Sequence, residues 1–213
     1  MIAQQQDSID FGRLETKRLI KVLEKNNLYT VDDVANLKLA CYKNKRDSTK
    51  NSYVYQTFTV EADMETSWTA YMNFNPTLKG DKKDFLHFGL LYSSPENKIY
   101  YPGDPYSGMT EGELMIWNLK IWGGLAHVSV GQTIHSIDSE KKSFEICYLQ
   151  QGISHGTQIV ELSTTPDGKT EVVHHTYYKS ESKFRDKRLY PGFHDIAISE
   201  FHESVRELAE SKN

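Results

Sequence analysis

The stretch EVVHHTYYKSESKFRDKRLYPGFHDIAISEFHESV, from Glu171 to Val205, holds four of the chain's eight histidines. Imidazole is the commonest metal ligand and the one side chain that titrates unperturbed near neutral pH, so such a cluster offers metal binding or acid–base chemistry. Neighbouring residues of a strand point to opposite faces, so His174 and His175 do not share one ion without a bulge. His194 and His202 stand two helical turns apart, about 12 Å along the axis at ~1.5 Å per residue. Helical histidines that chelate together are spaced i, i+4. The expectation is therefore no metal and no cofactor, which leaves acid–base work or the anchoring of a ligand.

The usual signatures of chemistry are missing. There is no HExxH, GxSxG, P-loop or CxxC pair, which sets aside zinc proteases, α/β-hydrolases and nucleotide-dependent kinases. The glycines of WGGLAHVSVG do not have dinucleotide-loop spacing. With 213 residues, 38% hydrophobic and 25% charged, the chain suits a globular domain plus an extension. The 13 Tyr, 9 Phe and 3 Trp suit both a core and the walls of a ligand pocket. A net charge of −4 argues against a general nucleic-acid or anionic-membrane binder, although residues 1–51 carry +3 and the remainder −7. No apolar run is long enough to span a bilayer, and MIAQQQDSIDF lacks the pattern of a secretion signal. Cys41 and Cys147 lie far apart, which reads as two reduced thiols in a cytoplasmic protein.

The elements that would position the histidines follow from periodicity. Leu14, Leu19, Val22 and Leu23 lie near one helical face, Asn26-Asn27 stops that helix, and Thr30 with Asp33 caps a second. The order of Leu14, Leu23, Leu28, Thr30, Val31, Asp33 and Val34 resembles, over about twenty residues, a helix pair in the C-terminal domain of the alpha chain of bacterial RNA polymerase. An arm packed on its own domain is the preferred reading. KNKRDSTKN, from Lys43 to Asn51, reads as a linker. YVYQTFTV then reads as a strand, Asp63 caps a helix over METSWTAYMNF ended by Pro76, and FLHFGLLYSS and GELMIWNLKIW are further strands. HVSVGQTIHSID, SFEICYLQ, GTQIVELST and KTEVVHHTYYK form four strands joined by short turns such as SEKK and PDGK, hence antiparallel neighbours. A long helix over Pro191–Ser211 closes the chain, with Phe193, Ala197, Phe201, Val205 and Leu208 as its stripe.

This order, and the run IHSIDSEKKSFEICYLQQGISHGTQIVELSTTPDGKTEVVHHTYYKS, resembles the START-like (Bet v 1, polyketide cyclase, SRPBCC) superfamily over about Tyr53 to Lys212. The resemblance implies an α+β helix-grip fold: a curved antiparallel sheet of about seven strands wrapped around the C-terminal helix. Residues 1–51 would be a helical extension and linker, and residues 52–213 the domain. It also implies a cavity beneath the helix. Alternation puts Val172, His174, Thr176 and Tyr178 on one strand face and Glu171, Val173, His175 and Tyr177 on the other. Neither set is uniformly apolar, so both stay open, and either sends a His and a Tyr inward.

The leading expectation is a cytoplasmic binder of a hydrophobic, aromatic or polyketide-like small molecule, contacted by Phe88, Tyr92, Trp117, Trp122, Tyr148 and Phe201. Phe144 joins these strand aromatics. The loop Tyr100–Gly112 is a candidate lid, and Arg185 either meets a ligand carboxylate or pairs with surface acids. One alternative is an aromatase/cyclase-type enzyme using His174 or His175 with Tyr177 as acid–base groups. Another is a ligand sensor whose N-terminal helices contact a partner, which requires an arm projecting from the domain.

Overall fold

The computed structural model describes residues 8–41, 52–78, 85–150, 152, 154–180, 182 and 184–211, with Arg185 by its backbone alone. The expected linker therefore lies outside the described residues, as does the Arg185 side chain. Among the described residues, eight strands form one curved, unclosed antiparallel sheet, in keeping with the expectation of about seven. They are β1 (Ser52–Val60), β2 (Leu86–Ser93), β3 (Lys98–Tyr100), β4 (Leu114–Ile121), β5 (Ala126–Asp138), β6 (Ser143–Tyr148), β7 (Ser154–Thr164) and β8 (Thr170–Ser180). Their order is β1-β8-β7-β6-β5-β4-β2-β3, so β4 to β8 form a meander of neighbours. Short turns permit only that pairing.

Among the described residues, four α-helices accompany the sheet: α1 (Lys17–Lys25), α2 (Val31–Ala35), α3 (Met64–Met72) and α4 (Tyr190–Glu210). Asp63 caps α3 by accepting from the Thr66 amide at 2.9 Å. α3 ends at the Asn73 cap, and Pro76 opens a separate 3-10 turn instead of terminating the helix. The concave face of the sheet, α3 and α4 enclose one core, with Trp68, Tyr71, Phe144, Ile134, Val172 and Val205 among its buried members. α4 is fastened along its length. Glu200 accepts from the Phe85 amide at 2.9 Å and the Leu86 amide at 3.2 Å, and Glu210 accepts from the Glu61 amide at 2.9 Å. In the turn just before α4, the Asp186 carbonyl accepts from Tyr178 at 2.9 Å.

The N-terminal helices form a second core on the convex face. Leu19, Leu23, Leu28, Val31 and Val34 are buried with Leu90, Tyr92, Ile99, Leu114 and Ile116. The expected cap of α2 forms in full: Thr30 accepts from the Asp33 amide at 3.2 Å and Asp33 from the Thr30 amide at 2.8 Å. The close approach of α1 depends on Gly89, where a Cβ would sit 2.5 Å from the Ile116 carbonyl oxygen and 2.8 Å from a Leu19 methyl. This packing removes the projecting arm that the sensor reading required, because the leucines offered to a partner are already covered.

The cysteines also correct an expectation. Cys41 and Cys147 form a disulfide, not two reduced thiols. Residues 38–41 lie antiparallel to the end of β6, with the Ala40 amide on the Tyr148 carbonyl at 2.7 Å and the Gln150 amide on the Lys38 carbonyl at 2.9 Å. That long-range pairing brings together two residues separated by 106 positions. Among the described residues, no helix is long and apolar enough to cross a membrane.

Candidate functional site

Between the concave face and α4 lies a cavity of about 420 Å³, within the usual range for a small-molecule site. Much of its wall is apolar, with Phe74, Met115, Ile134, Phe193 and Phe201 among its members. The loop between β3 and β4 closes one side. Tyr106 and Met109 line the cavity, and the Met109 amide donates to the Met72 carbonyl at 2.6 Å. Tyr106 donates to Glu113 at 2.5 Å, holding a buried carboxylate whose proton affinity burial raises. On the convex side the same loop is tied to the extension, where Arg13 stacks 4.4 Å from the Tyr101 ring centre and pairs with Asp104 at 2.5 Å.

β8 decides which histidine enters. Thr170, Val172, His174, Thr176 and Tyr178 are buried, while the alternate residues are exposed or half-buried. His174 therefore faces α4, and His175 and Tyr177 face outward. The His175 Nδ1 meets the Tyr53 hydroxyl at 2.8 Å, its Nε2 lies 3.1 Å from Glu161, and Tyr177 stacks on Tyr53 at 4.8 Å.

Inside, six side chains from five elements form one hydrogen-bonded chain. The Gln158 amide donates to Tyr148 Oη at 2.6 Å, so its Oε1 accepts from His174 Nε2–H at 2.8 Å. Neutral imidazole has one donor and one acceptor. His174 Nδ1 is thus the acceptor, and it receives His202 Nε2–H at 2.8 Å. His202 Nδ1 in turn accepts from the Tyr71 hydroxyl at 2.5 Å. At the other end Tyr148 and Tyr190 are joined hydroxyl to hydroxyl. Each donor from Tyr71 to His174 points the same way, from α3 towards Gln158.

The energetics keep this chain uncharged. Burial pushes His174 well below the usual imidazole range, with the neighbouring His202, His194 and His175 adding to the effect. It lowers His202 to about 3 and His194 to about 4. Burial raises Tyr148 to about 12, against the hydrogen bonds from Tyr190 and Gln158, and raises Tyr190 well above its ordinary value. Two phenols share one bond, and Tyr148 already accepts from Gln158. One O–H of the pair is therefore left over among the described residues, on side chains that line the cavity. Among the described residues, Trp117 Nε1, Ser129 Oγ and Ser154 Oγ are also buried without a hydrogen-bond partner, and all three residues belong to the cavity wall. An orphaned buried donor costs about 1–3 kcal/mol, and these three atoms are themselves shut off from the cavity space.

No protein-family model and no curated protein matches the chain. Solved structures do. A point mutant of Thalictrum flavum norcoclaurine synthase in complex with a transition-state analogue superimposes with a TM-score of 0.54 at 13% identity, over 76% of this chain and 97% of that one. The same enzyme in complex with dopamine and hydroxybenzaldehyde gives 0.54 at 12%, over 81% and 95%. Ara h 8.0201 gives 0.51 at 10%, over 76% and 99%. The fold is the Bet v 1-like helix grip. At these identities the fold is what is shared.

Within this helix grip, His174, Trp117, Tyr148 and Phe201 line the cavity and Trp122 stands at its rim, 68% exposed. Phe88 lies behind the wall, edge-on to Trp117 at 5.8 Å. Tyr92 is on the convex side, in the core beneath the extension. Sequence reasoning missed Tyr71, Gln158, Tyr190, the bond of His194 to Thr176 and that of His202 to His174. A signal existed for the last two: His194, Ile198 and His202 repeat at i, i+4 and run on to buried Val205 and Ala209. Nothing local marks Gln158, whose role comes from its place on β7 opposite Thr176, diagonal to His174 on the same face.

Proposed function

We propose that the chain binds a hydrophobic small molecule bearing a carbonyl-type oxygen in the cavity under α4. The unshared hydroxyl of the Tyr148–Tyr190 pair is the observation that carries this reading, because an apolar cavity with one oriented donor selects an apolar body with one acceptor. Norcoclaurine synthase, which has the same fold, has been solved with hydroxybenzaldehyde, and this supports an aromatic carbonyl compound as a suitable occupant. A cyclase or aromatase reaction through His174 has weaker support, since both its nitrogens are engaged and burial holds it neutral. His175 and Tyr177, on the outer face of β8, would need a substrate outside the cavity. A closed Cys41–Cys147 bond favours an oxidising compartment over the cytoplasm.

Native mass spectrometry of the protein taken from its own source, followed by denaturing extraction, tests the reading. A stoichiometric apolar adduct containing a carbonyl or similar acceptor is expected. Tyr190→Phe should weaken its rebinding about tenfold, the worth of one buried hydrogen bond. An apo mass together with failure to bind any aromatic carbonyl compound from a panel would overturn it.

A further inference from the structure

Away from the cavity, on the convex face, Cys41, His135 and Cys147 bring their ligand atoms within 4.8 Å of one another. The three come from different segments: the end of the N-terminal extension, β5 and β6. Their convergence depends on an irregularity. β5 and β6 pair Thr133 with Cys147 and Ile134 with Ile146, and the register then slips before Ser136 pairs with Glu145. His135 is the extra residue of that bulge. Ile134 is fully buried in the inner core and Ile137 packs against the same core three residues later, which uninterrupted alternation would not allow. The bulge leaves His135 exposed on the outer side, next to Cys147, and bulges of this kind commonly re-aim a side chain at a site. Among the described residues, none hydrogen-bonds the His135 imidazole.

With the sulfurs joined, the cluster offers one imidazole and no thiolate. Two electrons and two protons from a thiol reductant, itself oxidised to a disulfide, convert the bond to two thiols. Loss of those two protons to solvent on metal binding then yields two thiolates and a neutral imidazole. That donor set suits a tetrahedral cation with one further position. The exposed His135 side leaves the fourth position to water.

We propose that Cys41, Cys147 and His135 form a redox-gated site for a thiophilic divalent cation of the zinc class, closed by the disulfide and opened by its reduction. Residues 38–41 are then held to β6 in both states, by a covalent bond when oxidised and by the metal when reduced. The site stands apart from the cavity, so failure of one reading leaves the other untouched.

The test uses the full chain, reduced with dithiothreitol, freed of the reductant by gel filtration without oxygen, and then titrated with cobalt(II) and zinc(II). One cobalt per chain should bind, with a thiolate-to-cobalt charge-transfer band and the visible absorption of a tetrahedral ion. Zinc should displace it, and the oxidised protein should show neither signal. His135→Ala, at an exposed position, should fold normally and lose at least about tenfold in zinc affinity. Cys41→Ser should abolish the two-thiolate spectrum. Absence of stoichiometric cobalt binding by the reduced chain would overturn the proposal. So would an unchanged affinity in the His135→Ala variant, which would leave a disulfide beside an uninvolved surface histidine.

Discussion

His174, His194 and His202 enter the folded state neutral because burial removes the water an imidazolium needs. In the unfolded chain each takes up a proton near the ordinary value of about 6.5. Below that pH the unfolded state binds more protons, so stability falls as pH falls. The loss continues until the folded values are reached, which for His194 and His202 are about 4 and about 3. At pH 5 each of these two contributes a loss of about 2 kcal/mol relative to pH 7.5. Glu113 opposes the trend, since burial raises its carboxyl, but it is one group against three. Urea unfolding at the two pH values should show a much lower midpoint at pH 5. Equal midpoints would mean that the imidazoles are not held neutral.

At the scale of elements, two contacts position the site and each has a side chain or glycine on which it turns. α1 is held by Leu19 and Leu23, both buried against β2 and β4 residues. Leu23→Ala should therefore cost about 2–5 kcal/mol, although the residue is far from the cavity. Gly156 permits the approach of β7 to β8: at φ +152°, a Cβ there would lie 1.9 Å from the Tyr177 carbonyl oxygen. Gly156→Ala has no side-chain movement to relieve that contact and should cost about 3 kcal/mol or more. Thermal unfolding of the two variants checks both. A Gly156→Ala protein with wild-type stability would contradict the β7–β8 pairing that sets Gln158 opposite Thr176 and diagonal to His174.

The whole molecule is two cores on one sheet, with the cavity in the inner one and the extension covering the outer. The Cys41–Cys147 bond joins residues 106 positions apart and so closes a loop that spans most of the domain. Opening it in the presence of a chelator should destabilise the protein by about 2–5 kcal/mol, the usual range for a native crosslink. Chemical denaturation with and without reductant measures this. The same reduction carried out with zinc present should recover part of the loss, and recovery should disappear in His135→Ala.

Sequence alone determined the order of the elements, the Thr30–Asp33 and Asp63 caps, the antiparallel meander and the long closing helix. These rest on local causes: helical and strand periods, capping side chains and short turns. It also placed His174, Trp117, Tyr148 and Phe201 among the residues to watch. Which face of β8 turns inward was left open because Val172/His174 and Val173/His175 are equally mixed, and only packing against α4 broke the tie. Tertiary structure likewise decided the six-member hydrogen-bonded chain, whose residues run from Tyr71 to His202, and the pairing of Cys41 with Cys147. Both depend on strand register, and the approach of His135 to the two sulfurs depends on a bulge in β5. Register and bulge bring distant residues together and leave no local mark in the chain.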